Sequence, residues 1–116
     1  MKTARLPIRV VLYRDGTDWV ANCLEFDLFG HGATKADALE SLGQAIEIQI
    51  EATRDSQILK NLVHPSPPEF FIMFAHGADV ADGNLCLSGV SDFVEIGKPE
   101  MREYIGTEIS TAFCYM

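Results

Sequence analysis

Apolar residues recur along this chain at two different periods, and each period predicts a different element. In "LPIRVVLYR", residues 6–14, Ile8, Val10 and Leu12 alternate with Arg9, Val11 and Tyr13, the period of a half-buried strand. "DGTD" at 15–18 carries an Asp-Gly pair suited to a hairpin turn, because Gly16 takes positive φ at little cost. "WVANCLEF", residues 19–26, returns as a second strand. A short third strand is expected over 27–32, broken or bulged by its glycines.

The period then changes. From residue 38, Ala38, Leu39, Leu42, Ala45, Ile46 and Ile50 recur at three- and four-residue spacing, with Glu40, Gln44, Glu47 and Glu51 on the solvated side. Thr34 stands where an N-cap belongs. Asp37 follows three residues on, approximating a capping box near the positive helix end. Ile48 falls off the stripe, which points to a second contact. Gly43 costs about 1 kcal/mol against alanine in a helix interior, and close packing of helix on sheet would compensate.

The second half is less periodic. "SQILKNL" extends the helix or adds a turn, and the prolines of "HPSPPEF" stop it. "FFIMFA", residues 70–75, is expected as a buried strand. "HGADVADGN" is expected as loop, and "LCLSGVSDFVEI" as one or two strands. "KPEMREYIG" is predicted as a short helix with Pro99 at its start, while "TEISTAFCYM" fits strand or helix. The expected class is α+β: a three-stranded antiparallel start packed by one long helix, then a strand-rich second half. Residues 1–68 form the expected core. Residues 69–116 form an extension that completes the same domain or mediates oligomerisation.

Charge narrows the function classes. The 116 residues carry a formal net charge of −8, and the nine Lys and Arg residues are scattered. Neutralising phosphates needs a positive face, so the monomer is not expected to contact nucleic acid directly. An acidic surface suits a basic partner and also serves solubility. Cys23, Cys86 and Cys114 are odd in number with no C-x-x-C spacing, which fits a reducing cytoplasm. The start has no signal-peptide pattern, and no apolar run approaches the ~18 residues of a membrane span. No membrane partner is expected.

Candidate chemistry begins at "FGHGAT". A dinucleotide fingerprint would need glycine where Lys35 stands, and a Walker loop would need Gly-Lys-Ser/Thr where Gly32 meets Ala33 and Thr34. The glycines are therefore expected to turn the chain, and Thr34 to cap the helix. Glu25 and Asp27, two apart on the expected strand, would share a face, and Asp37 could approach them as a divalent-metal site. Simpler roles exist: Asp37 assists the cap, Asp27 begins a turn, and Glu25 is solvated or pairs with a basic partner. With Asp18, this acidic edge is the expected partner-binding surface. Cys23 has no histidine near it in sequence to make it a nucleophile. His31 and His76 lack metal-ligand spacing. No catalytic residue, cofactor or bound metal is expected.

"WVANCLEFDLFGHGATKADALESLGQAI" resembles the N-terminal domain of HicB-type antitoxins and their stand-alone relatives. The family pattern is an aromatic-led "x-V-A-x-C-L-E/P-x-D" strand, a glycine, a "G-x-T" turn and a "D/E-A-L-x-x-L/A-x-x-A-I" helix. Trp19, Ala21, Cys23, Leu24, Glu25 and Asp27 fall in step with it, as do Gly32, Thr34, Asp37, Ala38, Leu39, Leu42, Ala45 and Ile46. The resemblance spans residues 6–68. It implies a partial RNase H-like fold and the masking of a small basic toxin of the HicA type, an mRNA-cleaving protein. Many members also carry a C-terminal DNA-binding segment. Here acidic residues outnumber Lys98 and Arg102 over 77–116, so that segment is expected to be absent. The expectation is a non-enzymatic, cytoplasmic, homo-oligomeric binding module. A stand-alone regulatory or scaffolding domain and a metal-dependent RNase H-like nuclease remain open alternatives.

Overall fold

The computed structural model describes residues 4–56, 63–80, 85, 94–96 and 99–105. The predicted segments at 57–62, 86–93 and 106–116, with Cys86 and Cys114, lie outside them.

The chain is an α+β protein. Strands β1 (Ala4–Leu6) and β2 (Arg9–Asp15) open it, followed by β3 (Asp18–Cys23), β4 (Leu28–Gly32) and helix α1 (Lys35–Ser56). Helix α2 (Pro68–Ala75), β5 (Ala78–Asp79), β6 (Val94–Ile96) and β7 (Glu100–Glu103) complete it. β1 and β6 form a small parallel pair. The main sheet has the order β4-β3-β2-β7-β5, with β2 and β7 parallel and its other neighbours antiparallel.

The first four elements follow local chemistry. Gly16 turns the β2–β3 hairpin at φ 67°, the left-handed region a two-residue hairpin requires. Asp27 makes the next turn at φ 54°, a conformation Asp tolerates better than most residues, and its amide donates to the Cys23 carbonyl at 3.0 Å. The second strand therefore ends at Cys23 rather than at residue 26. Within β4 the glycines neither break nor bulge the strand.

Helix α1 covers one face of the sheet. Ala38, Leu39, Leu42, Ile46 and Ile50 bury themselves against Val10, Leu12, Ala21, Cys23 and Met101. Gly43 is buried as well. On the opposite face α2 brings Met73 and Phe74 onto Val11 and Leu24.

Three predictions for the second half are overturned: Ala78–Asp79, expected as loop, form β5 against β7, and two larger segments change type. Residues 70–75, expected as a strand, belong to helix α2. Their run is apolar on all sides, so periodicity could not separate buried strand from buried helix. Pro67 at the N-cap, Pro68 inside the first turn and Glu69 beside it mark a helix start. Residues 100–103, expected within a helix begun by Pro99, form strand β7. Their alternation decides the matter: Met101 joins the α1 core, while the Arg102 guanidinium lies 4.5 Å from the centre of the Phe74 ring on the α2 side. The Glu100 amide donates to the Ile8 carbonyl at 3.1 Å and begins the pairing with β2.

Candidate functional site

The corner between β4 and α1 is built for contact between backbones. A Cβ on Gly30 would lie 2.7 Å from Leu42 Cα and closer still to the Ala38 carbonyl oxygen and the Leu42 amide. One on Gly32 would overlap Asp37 and sit 2.8 Å from the Ala38 nitrogen. The helix rests on bare strand backbone, and Asp37 and Ala38 fill the space before Gly32. These glycines permit close approach; the chain turns at Ala33 and Thr34 instead. Thr34 caps α1 as the sequence predicts, its Oγ1 accepting from the Asp37 amide at 3.1 Å.

The carboxylates proposed as an acidic edge are not gathered in one place. Asp18 stands exposed at the hairpin tip, opposite Asp15. Glu25 and Asp27 lie beyond the other end of β3, about 17 Å away at 3.3 Å per strand residue. Glu25 and Asp27 occupy a turn, not a shared strand face. Gly32 pairs with Trp19, so Asp37 sits at the Asp18 end. The suggested Glu25, Asp27 and Asp37 constellation is thus split between opposite ends of the sheet. Among the described residues, no three His, Cys, Asp or Glu side chains are grouped to hold a metal ion.

Glu25 has an internal role instead. Its Oε1 accepts from the Arg9 amide at 2.6 Å and its Oε2 from Arg9 Nε at 2.7 Å. The same guanidinium lies 5.0 Å from the centre of the Phe71 ring and 5.9 Å from that of Phe74, within the range of cation–π attraction. The segment at 63–67 clasps this turn from outside. The His64 amide donates to the Glu25 carbonyl and the Ser66 amide to that of Leu24, at 2.9 and 2.8 Å. Ser66 Oγ also lies 3.2 Å from Asn22 Oδ1 and 3.3 Å from the Cys23 carbonyl, satisfying buried polar groups.

The basic side chains form a pattern that the sequence did not reveal. Arg14 and Lys35 both lie over the Trp19 ring, at 5.4 and 5.0 Å from its centre, and Lys35 also pairs with Glu103. Arg102 donates to the Phe74 carbonyl at 3.1 Å and reaches Asp79 at 3.4 Å. Arg9, Arg14, Lys35 and Arg102, the basic side chains among the described ones, are all engaged within the molecule. The outward side of α1 meanwhile exposes Asp37, Glu40, Gln44 and Glu51. Only the charge signs of this arrangement were visible beforehand; the pairings join residues far apart in the chain.

The remaining candidates are quiet. Cys23 is buried, and burial pushes its thiol up to about 12, which suppresses the reactive thiolate. Burial also raises Tyr13 to about 12, with Asp15 and Glu69 adding to the shift. His31 is exposed on β4, and His76, also exposed, ends α2. No described helix is long and apolar enough to cross a membrane. No family model, curated protein or solved structure matches this chain.

Proposed function

We propose that this chain is a non-enzymatic, cytoplasmic protein-binding module of the HicB-like antitoxin kind, which masks a small basic RNA-targeting protein of the HicA type. One observation carries the reading. The described basic side chains are held against aromatic rings and carboxylates, while the outward side of α1 presents Asp37 and Glu40 to solvent. An acidic helix face steers a basic partner and helps set its register. The backbone packing at Gly30 and Gly32 adds support, because it gives the glycine-bearing motif of the family resemblance a purely geometric role.

The test captures partners with the full chain from its native host, then assays the captured protein for RNA cleavage. The expected outcome is a small basic ribonuclease that the chain silences. Silencing should weaken as salt rises and in Glu40→Lys with Gln44→Lys. Magnesium-dependent RNA cleavage by the chain itself, lost in Asp27→Asn, would replace this reading with the nuclease. Capture of no basic protein would leave the stand-alone regulatory domain.

A further inference from the structure

Twice in this molecule a guanidinium is held between a phenyl ring and a carboxylate. Arg9 lies 5.0 Å from the centre of the Phe71 ring, while its Nε donates to Glu25 at 2.7 Å. Arg102 lies 4.5 Å from the centre of the Phe74 ring and reaches Asp79 at 3.4 Å. A third group of rings and carboxylates has the same parts without the cation.

That group lies on the α2 side of the sheet. Tyr13, Phe70 and Phe29 form a row, with ring centres 6.2 Å apart in the first pair and 5.4 Å in the second. Successive rings are inclined by 36° and 73°, so their faces turn in different directions. All three residues are half-buried, which keeps the row in contact with solvent. Carboxylates border it. Asp15 follows Tyr13 by two on β2 and so points to the same side of the sheet. Asp18 faces Asp15 across the ladder, and Glu69 precedes Phe70 in the first turn of α2. Burial raises the Tyr13 phenol, and Asp15 and Glu69 add to the rise, as carboxylates near a phenol do. Among the described side chains no Lys or Arg lies over these three rings.

We propose that the Tyr13–Phe70–Phe29 row, with Asp15, Asp18 and Glu69, binds a guanidinium group carried by a ligand from outside the chain. Asp15 and Asp18 are both exposed, and like charges directly opposite in an antiparallel pair repel. A cation seated beside them relieves that repulsion. Ring faces attract the same cation through their quadrupole. A guanidinium serves both, because it is flat enough to stack on a ring and forked to meet a carboxylate. Arg9 and Arg102 show this protein holding the group in that way. The row lies across the sheet from α1, so it does not rest on the masking proposal. An arginine of another protein and a free guanidino compound share this chemistry.

Titration of the purified full chain with ethylguanidinium chloride, followed by NMR of the aromatic ring protons, tests the site without any partner. The expected result is saturable shifts at Tyr13, Phe29 and Phe70 that sodium chloride of equal ionic strength does not produce. Phe70→Leu and Glu69→Gln should each raise the dissociation constant about fivefold, the weight of one cation–π or ion-pair contact. Glu69→Gln removes charge without changing shape, so it reads the site even where Phe70→Leu disturbs α2. A capped peptide with a single arginine separates the two sources. Binding tighter than that of ethylguanidinium assigns the site to a protein's arginine, and equal binding assigns it to a free compound. Shifts no larger than those in sodium chloride, saturation at other residues, or an affinity indifferent to both substitutions would each overturn the proposal.

Discussion

Gly30 shows how much one missing methyl group can decide. Any side chain there would have to displace helix backbone, which cannot swing aside as a flexible side chain can. Gly30→Ala is therefore expected to lower stability by about 3 kcal/mol, the upper part of the overpacking range, read as a fall in the urea midpoint. Glu25 carries a related lesson: reversing its charge would break the Arg9 bridge before it tested any partner. Cys23 and Tyr13 add a pH signature. Both protons are held more tightly in the fold, with the thiol raised from 9.0 and the phenol from 10.0, each to about 12. Above pH 9 the unfolded chain sheds the thiol proton first, so the folded state loses relative stability as pH climbs toward 12. Below pH 9 the contribution is complete. In Cys23→Ala the decline should begin nearer pH 10, where the phenol of the unfolded chain starts to ionise, as followed by denaturation midpoints across alkaline buffers.

At the scale of elements, legibility tracked how far each signal reached along the chain. The β2–β3 hairpin announced itself through Asp15-Gly16, and α1 through Thr34 and the apolar stripe that begins at Ala38. Both signals are local, and both elements formed, with the second strand ending at Cys23 rather than residue 26. Thr34→Ala should cost about 1 kcal/mol, the usual loss of a side-chain cap, with the first turn of α1 fraying in amide exchange. α2 and β7 were misjudged because their identity depends on neighbours. Phe70 to Phe74 can bury in either conformation, and the short alternation at Met101 and Arg102 means little until β2 lies alongside. The site followed the same rule. Thr34 as the cap follows from adjacent residues, whereas the Arg9–Glu25 bridge and the Lys35–Glu103 pair join positions too distant for spacing to reveal. Glu25 and Asp27, read as strand neighbours, occupy a turn because the strand ends at Cys23.

Across the whole molecule, the sheet is held together by a late arrival. Val10 in β2 pairs with Cys23 on one side and with Met101 on the other, so the residues resembling HicB-type domains do not make the sheet alone. A fragment of residues 1–75 would leave the β2 edge open and the α1 core without Met101. It is expected to lack a cooperative thermal transition by circular dichroism. Met101→Asp in the full chain should abolish cooperativity too, whereas Ile105→Asp, at a position 81% exposed, should leave the midpoint within about 0.5 kcal/mol.

That parallel pairing also governs the protein's birth. A ribosome delivers the hairpin and both helices well before it delivers Met101, and throughout that interval the nascent chain presents a bare strand to chaperones and proteases. Translation halted short of β7 should therefore yield a polypeptide destined for degradation rather than a weakened binder, so only completed synthesis adds to the working pool.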